Sequence, residues 1–204
     1  MKNYIEKSMT FAEYLKLIDE LLLDGKTTGE IQSEMMFHYA KLNRQRMKRL
    51  EKTVKLNDSI NEKARSVQQK MIWLILTEGW CGDAAQNISV IEKIAAESPN
   101  IETHYLLRDE NLELMDKYLT FNARSIPKLI CLNAETLEEI GNWGPRPKAA
   151  MDYFFEMKTQ GLEKPQMMEN MQRWYLQDDE HSIQNEFESL LDDWSSKSVT
   201  AKVG

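Results

Sequence analysis

Residues 71–76 read MIWLIL, an uninterrupted apolar run with a β-branched and aromatic share, bounded by Thr77-Glu78-Gly79. A run this short and this continuous predicts a strand buried on both faces, which can exist only inside a sheet that is covered on both sides. The residues that follow supply such a sheet. From Asp83 to Glu97, Ile88, Ile91 and Ile94 or Ala95 recur at helical spacing until Ser98-Pro99-Asn100. IETHYLL (101–107) alternates as a strand, 111–120 is helical, and PKLICLN (127–133) is a third strand. A turn at Asn133-Ala134-Glu135 followed by LEEIGNW (137–143) predicts a hairpin, and 148–158 turns helical behind the breaker cluster GPRP. The order β-α-β-α-β-β-α specifies an α/β fold whose mixed four-stranded sheet has helices on both faces.

The flanks read as helical extensions. In residues 1–68, Thr10 and Glu13 have capping-box spacing ahead of Phe11, Tyr14, Leu15, Ile18, Leu21 and Leu22, and Asp24-Gly25 ends that helix. Thr27 with Glu30 reads as the start of a longer helix bearing Ile31, Met35, Tyr39 and Leu42, then Met47, Leu50 and Val54, and Asn57-Asp58-Ser59 caps a short one leading to Val67. The central domain spans 69–160. In residues 161–204, Met168, Met171, Trp174 and Tyr175 mark one helix and Ile183, Phe187, Leu190, Leu191 and Trp194 another, and the tail 195–204 reads as disordered.

Charge and composition narrow the function classes. A net charge of -7 opposes binding of nucleic acid by the protein as a whole. The stretch 41–55 is locally basic, but it lacks aromatics for stacking, and acids around Asp178-Asp179-Glu180 are available to complement it. No secretory leader and no bilayer-length apolar run is visible, so the expectation is a soluble cytoplasmic protein without a membrane partner. His38, His104 and His181 are scattered, so neither a metal site nor any other cofactor is expected. The two cysteines, Cys81 and Cys131, are too few for a disulfide framework. Cys131 lies inside an apolar strand and reads as core, whereas Cys81 stands at the start of the first helix of the central domain.

At that position, free backbone N–H groups and the positive end of the helix dipole favour a thiolate. Asp83, two residues on, raises the thiol pKa if its carboxylate faces the sulfur, and spacing does not decide between the two effects. Arg124 and Arg146 are candidates to converge on the cysteine and offset Asp83, or else are surface ion-pair partners. Asp109 or Asn111 is expected to cap the next helix. Pro127 heads the third strand, where a residue without an N–H is tolerated, and a cis Ile126-Pro127 bond would turn the backbone toward a ligand.

A Trp80-Cys81-Gly82 turn between strand and helix, an Ile126-Pro127 pair some distance on, and Gly144 after the fourth strand resemble the thioredoxin family over residues 69–160. The blocks TEGWCGDAAQN, LLRDENLELMDKYLTFNARSIPKLI and NWGPRP look like one branch of thioredoxin-like bacterial proteins. The resemblance implies a thioredoxin-like fold with Cys81 as nucleophile, Trp80, Gly82 and Asp83 flanking it, and Ile126-Pro127 as the substrate-facing loop. Two departures follow the comparison through. Ala84 stands where the family has its resolving cysteine, and Ile75 where it has a buried acid, so a complete dithiol cycle is unavailable. The leading expectation is monothiol thiol-disulfide exchange through Cys81 with a protein or low-molecular-weight disulfide. The competing one is a redox-inactive module that binds a partner through the cis-proline groove and the terminal helices. Those helices are expected to pack on the domain or to form a homodimer.

Overall fold

The computed structural model describes the backbone of residues 1–200 and the side chains of residues 1–197. In chain order the elements are α1 (Lys2–Glu6), α2 (Phe11–Leu23), α3 (Glu34–Thr53), α4 (Asp58–Ser66), β1 (Met71–Thr77), α5 (Gly82–Ala96), β2 (Ile101–Leu107), α6 (Leu112–Met115), β3 (Lys128–Asn133), β4 (Glu139–Trp143), α7 (Lys148–Thr159), α8 (Lys164–Asp178) and α9 (His181–Thr200). The strands lie in the order β2-β1-β3-β4. β1 is parallel to β2 and antiparallel to β3, and β4 closes the far edge antiparallel to β3. Every residue of β1 is buried, as its unbroken apolar run requires. Flanking helices complete a thioredoxin-like α/β fold.

Both extensions pack on this sheet. Met9 exchanges two backbone hydrogen bonds with Tyr105 of β2, at 2.9 and 2.7 Å, and Tyr14 of α2 stacks on the Tyr105 ring at 5.4 Å. Thr10 and Glu13 form the capping box that starts α2. At the other end, Phe187, Leu191 and Trp194 of α9 belong to the same core cluster as β1. Trp73 meets Phe187 at 5.4 Å and Trp194 at 5.9 Å between ring centroids. A smaller second core, built on Ala150, Met157, Met167, Met171 and Tyr175, joins α7 to α8.

The structure departs from the sequence-based expectation in several places. No helix starts at Thr27: Gly29 takes φ +83, the Gln32 side chain folds back on the Thr27 backbone, and α3 begins only after Ser33, whose hydroxyl accepts from Met36 N. Ile31 and Met35 are therefore exposed rather than part of a buried stripe. Helix α6 is a single turn, and the chain turns through left-handed backbone at Phe121 and Asn122 farther on. Its N-cap, Asn111, bonds back to the Leu107 carbonyl, and Asp109 pairs with Arg108, so neither side chain caps the helix. Residues 195–200 of the tail are helical within α9, and 201–204 lie outside the described residues. The basic stretch on α3 is complemented chiefly by acids other than those around Asp178. Arg44 bonds Asp19 and Glu51, and Lys48 bonds Asp19. No helix among the described residues is long and apolar enough to cross a membrane, and no group of three or more potential ligands is placed to hold a metal.

Gly141 stands opposite Cys131, which is itself opposite Trp73, so the three share one cross-strand row under the Trp194 indole. A Cβ at 141 would overlap the rigid ring, since Trp194 is almost wholly buried and has nowhere to move. Gly141→Ala should destabilise the protein by about 1–3 kcal/mol in urea denaturation. Trimming the ring in Gly141→Ala/Trp194→Leu should make the glycine substitution nearly neutral relative to Trp194→Leu alone.

Candidate functional site

Cys81 is the N-cap residue of α5, held there because β1 ends at Thr77 and Cys81 N donates to the Glu78 carbonyl at 3.1 Å, closing a tight turn. Its Sγ accepts from Ala84 N at 3.4 Å and donates to the Ile126 carbonyl at 3.2 Å. The Ile126-Pro127 peptide is cis, and both residues are buried. Ile126 thus spends its carbonyl on the sulfur. The residue is only 8% exposed. Burial first, and then the Asp83 carboxylate, push the thiol up to about 12, against the lowering effect of the Ala84 and Asp83 amides and of Arg146. The helix dipole is therefore outweighed at this thiol.

Asp83 is itself fully engaged. Arg146 donates to its Oδ2 from Nη2 at 2.6 Å and from Nε at 3.1 Å, and the Tyr175 hydroxyl donates to Oδ1 at 2.9 Å. The guanidinium also lies over the Phe154 ring, 4.3 Å from its centroid. Tyr175 accepts from Asn87 Nδ2, Gln86 bonds Gln172, and the Gln172 amide stands where a side chain on Gly82 would go. Helix α8 consequently covers the start of α5 through polar bonds rather than greasy contact. Gly144, at φ +113, lies against the Pro127 carbonyl, where a Cβ would collide with the oxygen.

The predicted residues divide. Cys81, Gly82, Asp83, Arg146, Ile126 and Pro127 come together. Trp80 borders them, its ring stacked under the Arg108 guanidinium at 4.8 Å. Arg124 is exposed and forms a two-point ion pair with Asp116, so the counter-charge to Asp83 comes from Arg146. Cys131 is wholly buried in β3, and both cysteines are free. Tyr175, Gln172, Gln86 and Asn87 carry no motif in the sequence. The available signal was a pair of amides, Gln86-Asn87, on a helix otherwise buried among apolar residues.

Glu78 is a second unforeseen group. It has no exposure, its Oε1 accepts from Asp109 N at 2.9 Å, and among the described residues its Oε2 has no direct hydrogen-bond partner. Burial, reinforced by Asp109, raises its pKa to about 7, while the Asp109 amide, the Thr28 hydroxyl and Arg108 oppose the rise. Next to the turn, α3, Trp80 and α8 enclose a cleft of about 270 Å3.

Comparison with known proteins agrees with the fold. A family model described as Thioredoxin matches residues 29–171. No curated protein matches significantly. An HIV epitope-scaffold is similar in structure, with a TM-score of 0.59 and 14% identity over 98% of this chain and 97% of that one. A protein of unknown function from Pseudomonas aeruginosa superposes with a TM-score of 0.55 and 16% identity over 97% of this chain and 96% of its own. At such identities the likeness is one of fold.

Glu78 generates a pH prediction. The folded protein keeps its proton to about pH 7, whereas an unperturbed carboxyl releases it near 4.5, so the folded state binds more protons in that window and loses stability as pH rises through it. Glu78→Gln, uncharged and of the same shape, escapes the loss. Urea denaturation should find the two proteins alike at pH 5 and below and the variant more stable at pH 8, by up to about 3 kcal/mol. A gap independent of pH would show that Glu78 does not titrate in this range.

Proposed function

Because the chain belongs to the thioredoxin family, we propose that it is a redox-silent member of it, a binding module in which Cys81 is a structural thiol. The observation that carries this reading is the hydrogen bond from Cys81 Sγ to the Ile126 carbonyl. It occupies the backbone group that the family resemblance assigns to an extended substrate. Three further features support it. The sulfur is buried and protonated at neutral pH, so the nucleophilic form is scarce. Asp83, the nearest carboxylate, works against thiolate formation while locking Arg146 and Tyr175 in place. Ala84 leaves no resolving thiol. What remains for the motif is a shaped, rigid edge beside the cleft at Trp80, facing a protein or low-molecular-weight partner. Two free cysteines and the absence of any redox pair fit the cytoplasm as the proposed compartment.

Monothiol exchange predicts the opposite behaviour of Cys81, so alkylation kinetics on the native protein, mapped by mass spectrometry, separate the two. At pH 8 Cys81 should react at least about a hundredfold more slowly than a free cysteine, whose pKa is near 8.5, and should reach the free rate only in denaturant. A thiol that titrates at or below the free value, together with a mixed disulfide captured by native protein but not by Cys81→Ser, would establish exchange instead. As a structural donor, Cys81 should tolerate serine. Alanine should cost about 1 kcal/mol through the unpartnered Ile126 carbonyl.

A further inference from the structure

We propose that the cleft between α3 and α8 binds a carboxylate carried on a small apolar body, with Arg46 as the group that recognises the anion. Arg46 lines the cleft, half-buried, and its side-chain hydrogen bond goes to Asn43 Oδ1 at 2.7 Å. Among the described residues no carboxylate oxygen lies within ion-pairing distance of its guanidinium, and burial together with nearby Arg49 lowers its pKa. Its neighbours on the same helix differ: Arg44 and Lys48 both bond Asp19. A partly desolvated cation without a counter-ion is costly, and an anion arriving from solution removes that cost.

The site is built to hold the fork in place. Asn43 is buried, and its Nδ2 donates to the Gly79 carbonyl at 3.1 Å, which fixes the amide so that its oxygen faces Arg46. A planar guanidinium held in this way suits two-point recognition of a carboxylate. Gly82, the first residue of α5, also lines the cleft and brings the positive end of that helix to its wall. The acid at the rim, Glu169, is exposed and bonds Arg173 at 2.6 Å. Apart from the Gln172 amide, the remaining surface is apolar or aromatic, from Tyr39, Leu42, Trp80, Pro165 and Met168. At about 270 Å3 the cleft lies below the usual range for drug-sized ligands, about 300–1,000 Å3, and admits one ring or a short aliphatic chain. The same carboxylate chemistry is found in a free small acid and at the C-terminus of a polypeptide.

This inference rests on the binding reading above, since it names the ligand class for the same face. Its test does not read Cys81 chemistry. Native protein is titrated with 3-phenylpropionate, 3-phenylpropionamide, the peptide Ala-Ala-Phe with a free or amidated C-terminus, and inorganic phosphate, followed by NMR shifts of the Trp80 indole and of α3 and α8 amides. The acids should give saturable shifts confined to the cleft, and each amide should bind about tenfold or more weakly. Arg46→Gln should lose the same factor for the acids, and Arg124→Gln, whose arginine pairs elsewhere, should bind as the native protein does. Tighter binding of the peptide acid assigns a chain terminus and tighter binding of the free acid assigns a small molecule, and either supports the site. Equal affinity for acid and amide, a preference for phosphate, or no saturable shift overturns it. The acid-to-amide ratio on native protein decides the matter even if Arg46→Gln fails to fold. Repeating the titration on Cys81→Ser keeps the result independent of any thiol reactivity.

Discussion

Burial of β1 on both faces is the constraint from which the rest of this structure follows. A strand with no polar face must have a neighbour on each edge and a covering layer on each side, and β2 and β3 supply the edges. The layers draw on residues far away in sequence. Trp73 is closed over by Phe187 and Trp194 from α9, and Tyr105, one strand away, by Tyr14 from α2. The terminal segments are thus parts of one core, and the Met9–Tyr105 bridge ties the N-terminal stretch to the sheet edge.

That same core determines where the Trp-Cys-Gly turn sits and how closed it is. Once α7 and α8 share their own apolar cluster, α8 is carried across the start of α5, where Tyr175 and Gln172 find polar partners. Asp83 is the joint: one oxygen holds the loop after β4 through Arg146 and the other holds α8 through Tyr175. A carboxylate placed this way stabilises the architecture and disfavours the thiolate at once.

How much of this was legible beforehand depended on whether the signal was local. The strand runs, the capping box at Thr10 and Glu13, and the βαβ order are written in short-range patterns, and the sheet matches them. Thr27 with Glu30 had the same spacing but failed, because Gly29 adopts a backbone that a helix cannot contain. At the site, Cys81, Asp83, Ile126, Pro127 and Arg146 were identifiable, but the outcome of the contest between helix dipole and Asp83 was not. It is settled by burial together with Asp83, with the Ile126 carbonyl reaching the sulfur from far along the chain. Arg124 and Arg146 look alike as residues beside a breaker, and only the fold separates them. Glu78 and Arg46 carried no motif, since their significance lies in partners they lack.

Gly144 shows how far this positional control reaches. It packs flat against the Pro127 carbonyl, with no space for even one carbon atom. Any side chain there must push on the Pro127 carbonyl, one peptide beyond the Ile126 carbonyl that accepts from the Cys81 thiol. Gly144 thus acts as a spacer of zero thickness beside the segment that tethers the sulfur. A methyl group at this remote point would press on the same short segment that tethers the cysteine.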